Sequence, residues 1–282
     1  VAVDAPPPGA IPAAGLFGPA SVSWRLHADP VMGLAGLRAL LLQALHPLAM
    51  AGVAQHSAFR EDPWGRLART ASFVGVTTYG TGEQVREAVE RVRRVHRHVR
   101  GTDPVTGARY RADDPELLVW VHCCEVDSFL GVARRAGLGL PPDEADRYLA
   151  EQARIPRLLG VGPGHPVPET REQLAGYFTE VRGRLRATPA ARSAARLVLA
   201  PPMPGWAAWA TPARPAWSAV AGLSFALLPG WARRMYGWPG WQLTDAVATV
   251  EARALRTVLL PVPAALREGP HLRAARARLA ER

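Results

Sequence analysis

Apolar positions along this chain recur with a helical period nearly everywhere, and one stretch shows the pattern most sharply. In EQVREAVERVRRVHRHVRG, residues 83–101, a rotation of about 100° per residue gathers Val85, Ala88, Val89, Val92, Val95, His96 and Val99 into one stripe. Arg91, Arg94 and Arg97 point the other way with Glu87 and Glu90. His96 therefore lies on the apolar face and His98 among the charges, so the period alone separates two neighbouring histidines. Gly101 predicts the C-cap of this helix.

The other elements follow from the same reading. Pro30 opens a stretch from about Val31 to Phe59 that is apolar nearly all round, with Arg38 its only charge. Such a helix belongs in the middle of a bundle, and Pro47 should kink or break it at His46. His46 and His56 are then expected on a helix with little solvent-facing surface. RLARTASFVGVTTYG carries Arg66, Thr70 and Phe73 at helical spacing. Residues 102–112 read as a loop. Asp113 or Asp114, with Pro115 in the first turn, starts PELLVWVHCCEVDSFLGVARRAG, where Leu118, Val121, His122, Glu125 and Phe129 share a face. Further helices are predicted from Pro142 to about Leu159, Glu169 to about Ala187, Pro189 to Leu199, Trp217 to Leu228 and Trp241 to about Leu260, with a short Trp231–Tyr236 piece. Strand signals are nearly absent, and the β-branched run VGVTT sits in a helical context. The expectation is an all-α single domain, a bundle of roughly ten helices over residues 22–260. A Pro/Ala-rich tail, residues 1–21, packs loosely at most, and an Arg/Ala-rich tail follows over 261–282.

Composition adds limits. The 282 residues are 48% hydrophobic, a globular composition able to enclose a ligand. The formal charge is +10, and all 34 basic residues are arginine. With abundant Ala, Gly and Pro this reads as the coding bias of a GC-rich genome. The arginines are interleaved with acids and form no dense basic run, so nucleic-acid binding is not expected. Cys123 and Cys124 are adjacent and alone, which excludes a disulfide framework, a Cys-x-x-Cys metal site and covalent haem attachment. A cytoplasmic setting is expected, with no signal peptide and no transmembrane segment, the longest apolar run being too short.

Four histidines, His46, His56, His96 and His122, fall on three largely apolar helices. No His-Glu-x-x-His, no Gly-x-Ser-x-Gly and no paired Glu-x-x-His is present. One strong axial histidine in an apolar bundle suits non-covalent haem, whose propionates need cations or hydroxyls such as Arg66 and Thr70. Plainer readings stand beside this one. Arg66 can pair with Glu61 or Asp62, Thr70 can bond back to its own helix, His122 can form a buried pair with Glu125 or Asp127, and the cysteines can simply pack.

The series LLLQALHPLAMAGVAQHSAFREDPWGRLARTASFV, RVHRHVRG and YRADDPELLVWVHCCEVDSF resembles the family that includes the latex-clearing protein (rubber oxygenase) and the fungal oxygenase MpaB, over roughly residues 22–255. The resemblance implies an all-helical fold holding haem b. It implies that Arg66 and Thr70 line the haem site as an Arg-x-x-x-Thr motif, with His96 as proximal iron ligand. Two departures matter. Where rubber oxygenases carry a lysine able to occupy the distal iron position, this chain has Arg69, which stays protonated and cannot ligate. The distal site is then open, water-bound or held by His46 or His56. The family's catalytic glutamate has no counterpart near Met50, so polyisoprene cleavage does not carry over. The expected activity is an oxidation of a hydrophobic small molecule using O₂ or peroxide. The rival readings are a non-haem or cofactor-free tailoring enzyme on the same fold, and a non-enzymatic binder of hydrophobic ligands or membrane surfaces. For the last, six of the nine tryptophans lie between Trp206 and Trp241, a region suited to walling a substrate channel or meeting a membrane surface peripherally.

Overall fold

The computed structural model describes residues 11–203, 205 and 211–281; Trp206 and Trp209 lie outside the described residues. Helices follow one another much as predicted up to residue 260, and two more lie in the segment read as an Arg/Ala-rich tail. They are α1 (Val22–His27), α2 (Met32–Gln43), α3 (Pro47–His56), α4 (Pro63–Tyr79), α5 (Gly82–His98), α6 (Pro115–Arg135), α7 (Pro142–Gln152), α8 (Arg154–Leu159), α9 (Arg171–Val181) and α10 (Pro189–Leu199). After them come α11 (Ala213–Ala226), α12 (Gly230–Met235), α13 (Gln242–Leu259), α14 (Ala264–Arg267) and α15 (Pro270–Ala280).

The core is built on α2 and α6, which lie against each other. Leu34, Leu41 and Leu42 on α2 are buried together with Trp120, Cys123, Cys124 and Val132 on α6, so the two cysteines are packing residues. Arg38, the charge inside α2, donates from Nε to the Leu227 carbonyl (2.9 Å), from Nη1 to Ser128 Oγ (2.6 Å) and from Nη2 to Asp127 Oδ2 (2.8 Å). A buried guanidinium persists because its donors are matched. At Pro47 the chain turns by 102° between α2 and α3, with His46 in extended geometry as a residue before proline should be. Carbonyls freed at the end of α2 are taken by distant groups: the Tyr236 hydroxyl donates to Leu41 O (2.6 Å) and Trp120 Nε1 to Gln43 O (3.0 Å).

Several expectations change in detail. The 102–112 loop holds a short antiparallel hairpin, β1 (Arg100–Thr102) with β2 (Arg109–Arg111), in which Gly101 faces Tyr110. Helix α5 accordingly stops at His98, and Gly101 is no C-cap. A Cβ there would stand 2.6 Å from the Tyr110 hydroxyl and 2.8 Å from Gln55 Oε1, so glycine answers to close approach. The single helix read over 142–159 breaks at Ala153 into α7 and α8, because Pro156 cannot donate to the residue one turn back. The helix read over 169–187 starts at Arg171 with Thr170 as cap and ends at Val181 in a 3₁₀ turn. VGVTT does stay helical, its threonines bonding back to Phe73 and Val74 carbonyls.

The described segments before α1 and after α13 pack against the rest. Leu16 and Phe17 are buried with Val85, Val89 and Ile155. On α15, Leu272 and Ala275 are buried beside Tyr79, and Arg278 donates to the Tyr79 carbonyl (2.5 Å). No helix among the described residues is by itself long and apolar enough to cross a membrane.

Candidate functional site

Helices α4 and α5 form a hairpin joined by Gly80 and Thr81. Thr81 caps α5 in a capping box with Gln84, and Asp62 caps α4 by accepting from the Gly65 amide. Near the turn the two helices share an apolar cluster, with Phe73 and Val76 of α4 against Val85 and Val89 of α5. Towards the open end this contact stops. Leu67 on α4 and Val92 on α5 are half-buried, and neither joins a hydrophobic cluster among the described residues. Arg66 and His96 sit at that end, each about 20 Å along its helix from the turn.

His96 is half-buried, and its ring has no hydrogen-bond partner among the described residues. Burial lowers its pKa, opposed by the Asp113 charge, so the imidazole is neutral at pH 7. A neutral ring with a free nitrogen is the form that ligates metal. His98 is exposed and bonds through Nδ1 to the Arg94 carbonyl (2.8 Å). The apolar face thus divides the two histidines as the period predicts. Val95 is the exception on that face, exposed because it lies about 100° from His96 at the stripe's edge.

On α4, Arg66 is half-buried and donates to the Ser57 hydroxyl; it pairs with neither Glu61 nor Asp62. Desolvation, then the charge of Arg69, hold its pKa below the ordinary arginine value. Most of its guanidinium donors are left for another acceptor. Asp62 pairs instead with the exposed Arg69 (3.2 Å). Thr70 is exposed, and its hydroxyl donates to the Arg66 carbonyl (3.0 Å), the back-bonded arrangement.

The remaining histidines are spread out. His56 is exposed, contrary to the expectation for its helix, and its Nε2 donates to the Arg100 carbonyl (3.0 Å). The cause is that α3 ends here at the surface, over the hairpin. His46 is buried at the other end of α3, about 15 Å away, in a cleft formed by other elements. His122 is buried in α6, with Nε2 lacking a partner, and its pKa falls to about 3 through burial and then the Arg157 charge. Asp127 is committed to Arg38, so the pair of His122 with Asp127 does not form.

One further group emerges only in three dimensions, and one gains a property there. His27 shares its ring nitrogens between Thr78 Oγ1 and Tyr148 Oη, each at 3.0 Å, and stacks on Phe129. Glu125, one helical turn from His122, is pushed up to about 7 by burial. The sequence offers Glu125 as a partner of His122, and no hydrogen bond joins the two.

Among the described residues no three or more His, Cys, Asp or Glu side chains gather as a metal site. A bare ion would meet one nitrogen donor at His96, whereas a macrocycle brings four of its own. His96 supplies one nitrogen donor and Arg66 one cation at the same end of the hairpin.

The chain belongs to the family described as ER-bound oxygenase mpaB/B'/rubber oxygenase, catalytic domain, whose model matches residues 24–260. Comparison with curated proteins and with solved structures gave no match.

Proposed function

We propose that this protein is a haem b-dependent oxygenase or peroxygenase that oxidises a hydrophobic small molecule, with His96 as the axial iron ligand. The observation that carries the reading is the neutral, unpartnered His96 imidazole at the open end of the α4–α5 hairpin, level with Arg66. Membership of an oxygenase family supplies O₂ and an organic substrate as the reactants. Bound haem supplies a redox centre able to activate O₂ or peroxide. The chain's own side chains hold and orient it. His96 gives one nitrogen, Arg66 offers a propionate charge-assisted hydrogen bonds, and Ser57 fixes the guanidinium. Leu67 and Val92, half-buried at the same end of the hairpin, would give such a group apolar surface. Arg69 pairs with Asp62, and a guanidinium would not serve as an iron ligand. Glu125, raised to about 7 by burial, is the carboxyl able to exchange a proton at neutral pH, while His122 stays neutral.

Titration of the purified protein with haemin tests this. Saturation of a Soret band at one equivalent is expected. Absence of any saturable band overturns the haem reading and leaves the family's oxidation to another group.

One observation favours a peripheral membrane contact in addition. Trp238 and Trp241, exposed by 63% and 67%, continue into Leu243, Val247 and Val250 on the outer face of α13, whose inner face buries Ala248 and Ala252. Tryptophans beside an apolar helical stripe suit a membrane interface.

A further inference from the structure

His46 stands where four segments meet: the α2–α3 corner, the β1–β2 hairpin, the start of α6 and the chain after α9. They enclose a cleft of about 300 Å³, at the lower end of the range usual for small-molecule sites. The imidazole is only 7% exposed and lies against Trp120, ring centroids 5.8 Å apart. Neither ring nitrogen has a hydrogen-bond partner among the described residues, and Nδ1 is sealed from solvent. Nδ1 is closed to the cleft as well, so Nε2, which has no partner among the described residues, is the nitrogen a ligand atom can reach.

The charges around it indicate which ligand. Glu116 is taken by Arg184 (2.7 Å). Asp114 accepts the Glu116 amide (2.9 Å) as the cap of α6, where the positive end of the helix dipole meets its charge. Arg186 is fixed through its backbone, whose N–H donates to the Leu45 carbonyl (2.9 Å), while its guanidinium has no partner among the described residues. One uncommitted cation therefore borders the cleft. Pro47, Leu48 and Leu117 make its floor apolar.

We propose that this cleft is a binding site, apart from the α4–α5 hairpin, for a small organic acid. The carboxylate meets Arg186 and the N–H of His46, and a short apolar body lies on Pro47, Leu48 and Leu117. A planar guanidinium with free donors matches a carboxylate, and a neutral imidazole adds one donor without a second charge to desolvate. The site depends on no cofactor, so its failure and that of the haem reading are separate outcomes.

Histidine-selective nitrogen-15 labelling of the full chain, without added haem, gives the readout. The His46 imidazole signals are expected to shift saturably with hexanoate and to stay unmoved by hexylamine. Arg186→Gln, at an exposed position that leaves the fold intact by circular dichroism, is expected to weaken hexanoate by about tenfold or more. Signals that ignore hexanoate, or that respond equally to hexylamine, overturn the proposal. Inorganic phosphate acting as well as hexanoate overturns the organic-acid class, and an unchanged affinity in Arg186→Gln overturns the assigned cation.

Discussion

Burial keeps the interior imidazoles of this protein neutral, and that has a measurable cost in acid. His27 and His122 are pulled to about 3 and His46 to about 4, from an ordinary value of 6.5. As pH falls through 6.5 the unfolded chain takes up these protons and the folded chain does not, so stability declines on acidification towards pH 4. Glu125 acts in the opposite sense. Its folded-state value near 7 means the folded form keeps a proton that the unfolded form has lost above 4.5. Three histidines against one carboxyl leave a net slope of about two protons between pH 4.5 and 6.5. The urea midpoint should therefore drop steadily from pH 6.5 to 4.5, and a flat midpoint would contradict the buried, neutral assignments. Single residues were legible in the sequence where helical period decides their environment. His96 and His98 divide for that reason, and Thr70 adopts the back-bond open to any helical threonine. His27 was not legible, because its partners Thr78 and Tyr148 lie 51 and 121 residues away and no local pattern connects them.

Elements are held by a few exacting contacts. Removing Arg38 strands Asp127, whose partner it is, and empties space beside Ser128. Arg38→Ala is expected to cost about 3 kcal/mol in urea unfolding. Leu42→Ala, at a position with no exposed surface, should cost about 2–5 kcal/mol by the same measurement. The α4–α5 turn is pinned by the residues before α1: the Gly82 amide donates to the Ala13 carbonyl (2.9 Å), and a Cβ at Gly82 would fall 2.1 Å from the Pro12 carbonyl oxygen. Gly82→Ala should loosen that segment, read as faster amide exchange at Leu16 and Phe17 with α2 unaffected. Prolines and Asp or Thr caps announced most helix starts, since those residues act within one turn. The hairpin after α5 escaped because three-residue strands reading Arg-Gly-Thr and Arg-Tyr-Arg carry no run of β-forming residues. What holds them is Tyr110 packed beneath α3 and its hydroxyl on Gln55 (2.7 Å).

At the scale of the whole molecule, the all-α reading holds, while the segments around Leu16 and Leu272 pack into it. Leu16, Phe17 and Leu272 are buried against the turn end of the hairpin whose other end carries Arg66 and His96. Isolated apolar residues among Pro, Ala and Arg gave no periodic signal for this. The outer face of α13 makes a separate prediction: sedimentation with neutral phosphatidylcholine vesicles should fall several-fold in a Trp238→Ser/Trp241→Ser variant, and equal sedimentation would remove the membrane contact. The central claim concerns His96, and a pair of variants tests it most directly. The visible spectrum of the haemin-supplied protein should be unchanged in His98→Ala. In His96→Ala, with helicity retained by circular dichroism, the Soret band should be lost or shifted to that of loosely held haemin. A His96→Ala protein that binds one equivalent of haem with the parent spectrum would contradict the account.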